Sequence, residues 1–178
     1  NGEARLKEHS AIIIALSLHS SDRRILQAAN WLELYQQPTA RLPIGVQNRL
    51  DSGEHFISSA AAYLYAGEEV ALLIGLYKEM HDTRVKEKFD LRDLAADYAG
   101  VEFAKLMTNS NAIDWLAQNY QLATDDNNLL PLMTTAEVDQ LKDISLLGRA
   151  VVNKSTIEDI KKVIIGTIKK SPLYSTQL

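Results

Sequence analysis

Apolar side chains recur in this sequence at spacings of three and four residues along most of the chain, the period of helices with one face in a core. No stretch sustains the every-other-residue alternation of a half-buried strand. Glycine (8) and proline (4) are too scarce among 178 residues to punctuate a many-stranded fold. The expected fold is therefore all-α, a single-domain bundle of six to eight helices spanning 1–178. A hydrophobic fraction of 46% supplies enough apolar surface for one core and excludes disordered and low-complexity classes.

Local signals set the expected helices. A first runs over 4–19 around Ile12, Ile13 and Leu16. Ser20, Ser21 and Asp22 offer caps for a second over 22–37, stopped before Pro38. After a loop to Val46, a third covers 48–66 and ends at Gly67, a residue suited to a helix C-terminus. A fourth covers 69–86. A fifth starts at Asp90, whose spacing to Asp93 is that of a capping box, and runs to Met107. A short helix over 112–122 precedes the polar loop Thr124–Pro131. Thr134 with Glu137 opens a helix to about 146, and Ser155 with Glu158 opens a last one over 156–170, ended by Pro172. The helices within 48–107 form the centre, and 110–170 is a C-terminal helical extension.

Composition narrows the function classes. The chain has no cysteine, which excludes disulfides, thiol catalysis and Cys-ligated metal. Residues 1–50 carry +2, residues 51–150 carry −9 and residues 151–178 carry +3. An acidic centre argues against a nucleic-acid partner, which needs a basic stripe. No transmembrane segment is expected, because the longest apolar run, Phe56 to Tyr77, is broken by Glu68 and Glu69. Ala11–Leu18 is too short and wrongly flanked for a secretory signal, and the chain begins at Asn1, so any leader or anchor would precede it. The segment Thr124–Pro131 lacks the ligand spacing of a calcium loop.

The helical pattern is broken within 51–104. On a wheel of the fifth helix, Asp93 and Asp97 sit one turn apart in the middle of the arc formed by Leu94, Ala96, Gly100, Val101 and Ala104. On the fourth, Glu79 and Asp82 lie on the stripe of Ala71, Leu72 and Gly75, with Lys78, His81 and Arg84 opposite. On the third, His55 shares a stripe with the small residues Ser52, Ser59 and Ala62. A buried carboxylate must be paired, hydrogen-bonded, protonated or bound to a cation. Packing these helices together gathers His55, Glu79, Asp82, Asp93 and Asp97.

Two readings of that cluster stay open. In one it is a site: His55, Glu79, Asp93 and Asp97 hold a divalent metal or carry protons, with Asp82 behind them, in a hydrolase. In the other, His55, helix termini and bases such as Arg84 satisfy the acids, and the network fixes helix register.

The runs Asp51–Ala60, Gly75–Arg84 and Phe89–Gly100 resemble the YfiM-like family of predicted bacterial periplasmic lipoproteins. The family pattern is D-K-x-x-H-F-x-x-S-A, K-E-x-x-D and D-x-x-x-D-x-x-G, with a more distant echo in the VanZ-like membrane family. The likeness spans about 50 residues and falls on Asp51, His55, Lys78, Glu79, Asp82, Asp93, Asp97 and Gly100. Ser52 stands where the family has Lys, Val85–Lys88 replaces its usual glycine-containing loop, and there is no lipobox cysteine. The resemblance implies a helical core and a periplasmic or cell-envelope location, with an envelope component as partner or substrate. It implies no activity.

Other features read as ordinary. His9 and His19 lack ligand partners at helical spacing, His81 faces outward, and Trp31 and Trp115 are expected in the core. The last helix carries Ile157, Ile160, Ile164 and Ile168 on one stripe, with Lys161, Lys162, Lys169 and Lys170 off it. That pattern suits a core-packed helix with cations at its C-terminus. It also suits peripheral contact of 156–170 with an anionic membrane surface.

Overall fold

The computed structural model describes residues 2–20, 43–86, 90–145 and 154–175. Among them are eight α-helices and no β-sheet, an all-α bundle. The helices are α1 (Gly2–Ser20), α2 (Leu50–Ala66), α3 (Glu68–Lys86), α4 (Leu91–Met107), α5 (Ile113–Gln118), α6 (Asp126–Leu129), α7 (Thr135–Ser145) and α8 (Lys154–Ile168). A 3₁₀ turn, Tyr120–Thr124, follows α5. The helix expected over 22–37, with Trp31, lies outside the described residues.

Several boundaries follow from the local chemistry the sequence carries. Gly67 takes φ 83°, and its N–H donates to the Tyr63 carbonyl at 2.8 Å, ending α2 and letting α3 start at once. The Asp90 carboxylate accepts the Arg92 N–H at 3.0 Å and caps α4. The Thr134–Glu137 box forms in both directions: Thr134 N–H donates to Glu137 Oε2 (2.7 Å) and Glu137 N–H to Thr134 Oγ1 (3.3 Å).

Elsewhere the structure departs from expectation. α8 is already helical at Lys154, so Ser155 lies inside it and does not cap it. The helix expected over 112–122 stops at Gln118, because the Asn119 side chain donates to the Trp115 carbonyl (2.9 Å) and the chain tightens into the 3₁₀ turn. The polar loop contains the single turn α6, capped by Asp125 on Asn127 N–H.

Helix α4 is the axis of the bundle. Every residue from Leu94 to Val101 is buried, because α2 and α3 cover one side and α8 reaches the other. Alanine and glycine make that possible by letting neighbouring backbones approach. A Cβ on Gly100 would overlap the Phe56 carbonyl of α2, so these two helices meet backbone to backbone. Leu94, Ile160, Ile164 and Ile168 are fully buried, each contributing about 1.5–3 kcal/mol over an exposed side chain. The isoleucine stripe of α8 is thereby used in the core, and Lys162, Lys169 and Lys170 remain outside or at the rim. Its apolar face is not available for the membrane contact considered for 156–170. Among the described residues no helix is long and apolar enough to cross a membrane.

Candidate functional site

The polar cluster forms where α2, α3 and α4 meet. Helix α2 contributes His55 and, one turn on, Ser59, both on the face that α4 covers. Helix α4 contributes Asp93 and Asp97, also one turn apart. Helix α3 contributes Glu79 from its buried stripe and Lys78 from the neighbouring exposed position. His55 is 9% exposed, Glu79 2% and Asp97 3%, so three polar groups have been drawn out of water together.

Its two ring nitrogens give His55 two different sides. Nδ1 lies 3.0 Å from Asp97 Oδ1, and that same oxygen accepts the Ser59 hydroxyl at 2.6 Å. Asp97 therefore fixes the tautomer, with the Nδ1 proton donated to the carboxylate and the Nε2 lone pair facing the other way. On the Nε2 side stand Glu79 Oε1 at 3.8 Å and Asp93 Oδ2 at 3.7 Å. Lys78 Nζ also lies there, 2.6 Å from Nε2 and 3.5 Å from Glu79 Oε1.

The acids have further partners. Glu79 Oε2 accepts the Asp90 N–H at 3.2 Å. Arg49, just before α2, donates to Asp51 through two nitrogens (2.6 and 3.0 Å) and reaches Asp93 at 3.4 Å and Asp90 at 3.5 Å. Asp97 Oδ2 is buried without a hydrogen-bond partner and lies against Gly75, where a Cβ would overlap it.

These surroundings move the ionisation equilibria. Burial penalises the His55 imidazolium, but the Asp97 carboxylate on Nδ1 outweighs it, and the ring's pKa is raised above its ordinary value. Burial raises Glu79, opposed by the Asp90 N–H and Lys78. Burial also raises Asp93, opposed by His55. The Arg49 hydrogen bond holds Asp51 down at about 2.

Of the five residues marked in the sequence, His55, Glu79, Asp93 and Asp97 come together. Asp82 does not join the groups around His55: it is half-buried on α3, with Oδ1 3.8 Å from His81 Nδ1. Asp97 stands behind the imidazole and not among the ligand atoms. One oxygen each from Glu79 and Asp93 and a nitrogen of His55 all lie within 4.8 Å of one another, a set that can hold a metal ion. A zinc-like ion at roughly 2.1 Å from each would want separations of about 3.4 Å, a few tenths shorter than those from Nε2. Arg84, expected to neutralise the acids, has its side chain outside the described residues; among the described residues Arg49 reaches Asp93. Ser59 was legible as a polar group one turn beyond His55; Arg49 had no signal in the helical pattern.

Beside the cluster a cleft of about 560 Å³ is lined by Arg49, Ser52, Arg92, Ala95, Leu130 and Met133, among others. It is framed by the tight turn Val46–Arg49, in which Gln47 and Asn48 take φ 55° and 59°. The Gln47 N–H donates to Asp126 Oδ2 (2.7 Å), and its side chain donates to the Leu130 carbonyl (2.6 Å), which holds this left-handed conformation in place.

Comparison with known proteins found no matching family model, no matching curated protein and no matching solved structure.

Proposed function

We propose that this is a divalent-cation protein of the bacterial cell envelope, with the ion held by His55, Glu79 and Asp93 and serving hydrolysis of an envelope component. The observation that carries the cation is the two-sided environment of His55. A carboxylate behind one ring nitrogen, with two more carboxylates before the other, is how metal-ligating histidines are oriented. Three protein ligands leave coordination positions for water and substrate, and a bound ion lowers the pKa of such a water into the neutral range. On the ligand side the Lys78 side chain is half exposed and that of Asp93 is 14% exposed, whereas that of Asp97 on the other side is 4% exposed. Envelope location rests on the resemblance of 51–100 to YfiM-like sequences.

Metal analysis of the purified chain and titration with Mn²⁺ and Zn²⁺ test the reading. One ion per chain is expected in the wild type, and none in His55→Ala or Glu79→Gln variants that still show the helical circular dichroism of the parent. A folded wild type that takes up neither ion overturns it.

A second reading is structural: an envelope protein whose His/carboxylate network pins three helices while another surface binds a partner. An exposed apolar stripe on α3, formed by Val70, Leu73, Ile74 and Tyr77 at helical spacing, favours it. Here His55→Ala only lowers the melting temperature, and Leu73→Glu abolishes capture of an envelope partner without changing metal content.

A further inference from the structure

Lys78 does something in this cluster that neither a plain ion pair nor a solvated lysine would do. Its Nζ lies 2.6 Å from His55 Nε2, 3.5 Å from Glu79 Oε1 and on the same side of the ring as Asp93 Oδ2. These are the three groups whose atoms converge as ligands. The ammonium is a compact cation with three donors. It gives the Nε2 lone pair a proton donor and sets a positive charge beside two carboxylates that burial would otherwise destabilise.

Its stem lies open to solvent. The Lys78 side chain is 52% exposed and sits at the edge of the stripe that α3 turns to solvent. A four-carbon stem from that position can carry the ammonium from the imidazole into water without disturbing α3. Glu79, by contrast, is 2% exposed and held by the Asp90 N–H, and His55 is held by Asp97. Glu79 and His55 are thus held by neighbouring groups, whereas the ammonium has an open route to water.

We propose that Lys78 is a built-in competitor for the cation position: its ammonium occupies the ligand side of His55, and a divalent ion binds only by expelling it. This deepens the cation reading and rests on it. The consequence is a site that stays charge-compensated when metal is scarce and loads only above a threshold set by Lys78. A divalent ion gains three anionic or lone-pair ligands at once, whereas the ammonium returns to bulk water at little cost. Removing the ammonium should therefore tighten ion binding, although a positive charge would be lost from an acidic chain in either state.

The test compares Mn²⁺ and Zn²⁺ dissociation constants of the wild-type chain and Lys78→Met by calorimetry. A hydrogen bond to a charged group sets the scale, and the variant is expected to bind about tenfold tighter or more. The metal-free variant should melt below the wild type, and saturating metal should close that gap. Because the chain has no cysteine, Lys78→Cys carries a single thiol. Alkylation with bromoethylamine then rebuilds an amine of nearly the same length and should restore the weaker, wild-type affinity. That rescue also serves if Lys78→Met fails to fold, since the Lys78→Cys protein is measured before and after alkylation.

Equal affinities in wild type and variant overturn the competitor role while leaving the cation site standing. So does weaker binding in the variant, which would make Lys78 a supporting group. Absence of binding by both folded proteins overturns the cation site itself, and this inference with it.

Discussion

His55 Nδ1 and Asp97 Oδ1 lie 3.0 Å apart although 42 residues separate them in the chain. This one pair ties α2 to α4, sets which ring nitrogen carries the proton, and turns the other nitrogen toward Glu79 and Asp93. The Ser59 hydroxyl on the same oxygen leaves Asp97 little freedom to rotate. The cost is visible at the second oxygen, which is buried against Gly75 without a hydrogen bond.

Asp97→Asn keeps the shape of that contact and removes its charge. The His55 pKa, raised mainly by this carboxylate, should fall in the variant, as followed by the ring C–H resonances in an NMR titration. The sign for stability follows from the raised value. The contribution is fully present below the unfolded pKa near 6.5 and is lost as pH rises through the folded pKa. The melting-temperature penalty of Asp97→Asn should therefore be larger at pH 5.5 than at pH 9. Divalent-ion affinity should drop about 10- to 100-fold, the usual effect of losing the group that orients a metal-ligating histidine.

Gly100→Ala and Gly75→Ala should differ in severity. A methyl group at Gly100 meets the backbone carbonyl of Phe56, which cannot move without separating α2 from α4. A methyl group at Gly75 meets the Asp97 side chain, whose displacement leaves both backbones in place but breaks the His55 contact. Thermal unfolding should place the Gly100→Ala loss at about 3 kcal/mol or more, at or above the usual overpacking range. Gly75→Ala should lose less stability while disturbing the His55 titration; an unshifted His55 resonance there would contradict the packing described.

Glu137 gives a prediction remote from the cluster. Its carboxylate caps α7 through Thr134, reaches α8 through Thr167 Oγ1 (2.7 Å) and meets Lys170 Nζ just beyond that helix (2.6 Å). The Lys170 bond leads the causes that hold its pKa down at about 2. A depressed carboxylate stabilises above its unfolded value near 4.5 and loses that contribution as pH falls toward 2. Glu137→Gln should thus cost about 1 kcal/mol in urea unfolding at pH 7, the usual worth of a cap. The difference should shrink as pH falls from about 4.5 toward 2, and a penalty independent of pH would show that charge has no part in it.

How far the amino-acid sequence determined these features depends on the distance over which each is fixed. Gly67, Asp90 and the Thr134–Glu137 pair specify helix ends within four residues of themselves, so the all-α class and most boundaries in 48–107 followed from local chemistry. Asp93, Asp97, Glu79 and His55 could be marked as polar groups on apolar arcs, since a 3.6-residue period alone places them there. Which of them would touch was decided only by packing. The sequence reading set Asp97 level with Glu79 and Asp93 and put Asp82 behind them. The packing of α2, α3 and α4 then left Asp82 out of the groups around His55, put Asp97 behind the imidazole, and left two acids before it. Arg49 and Lys78 entered for the same reason: a long cationic side chain on a boundary position reaches whatever the fold puts near it. Helix termini and buried faces are properties of a segment, whereas the proton on Nδ1 and the cation beside Nε2 belong to three segments held together.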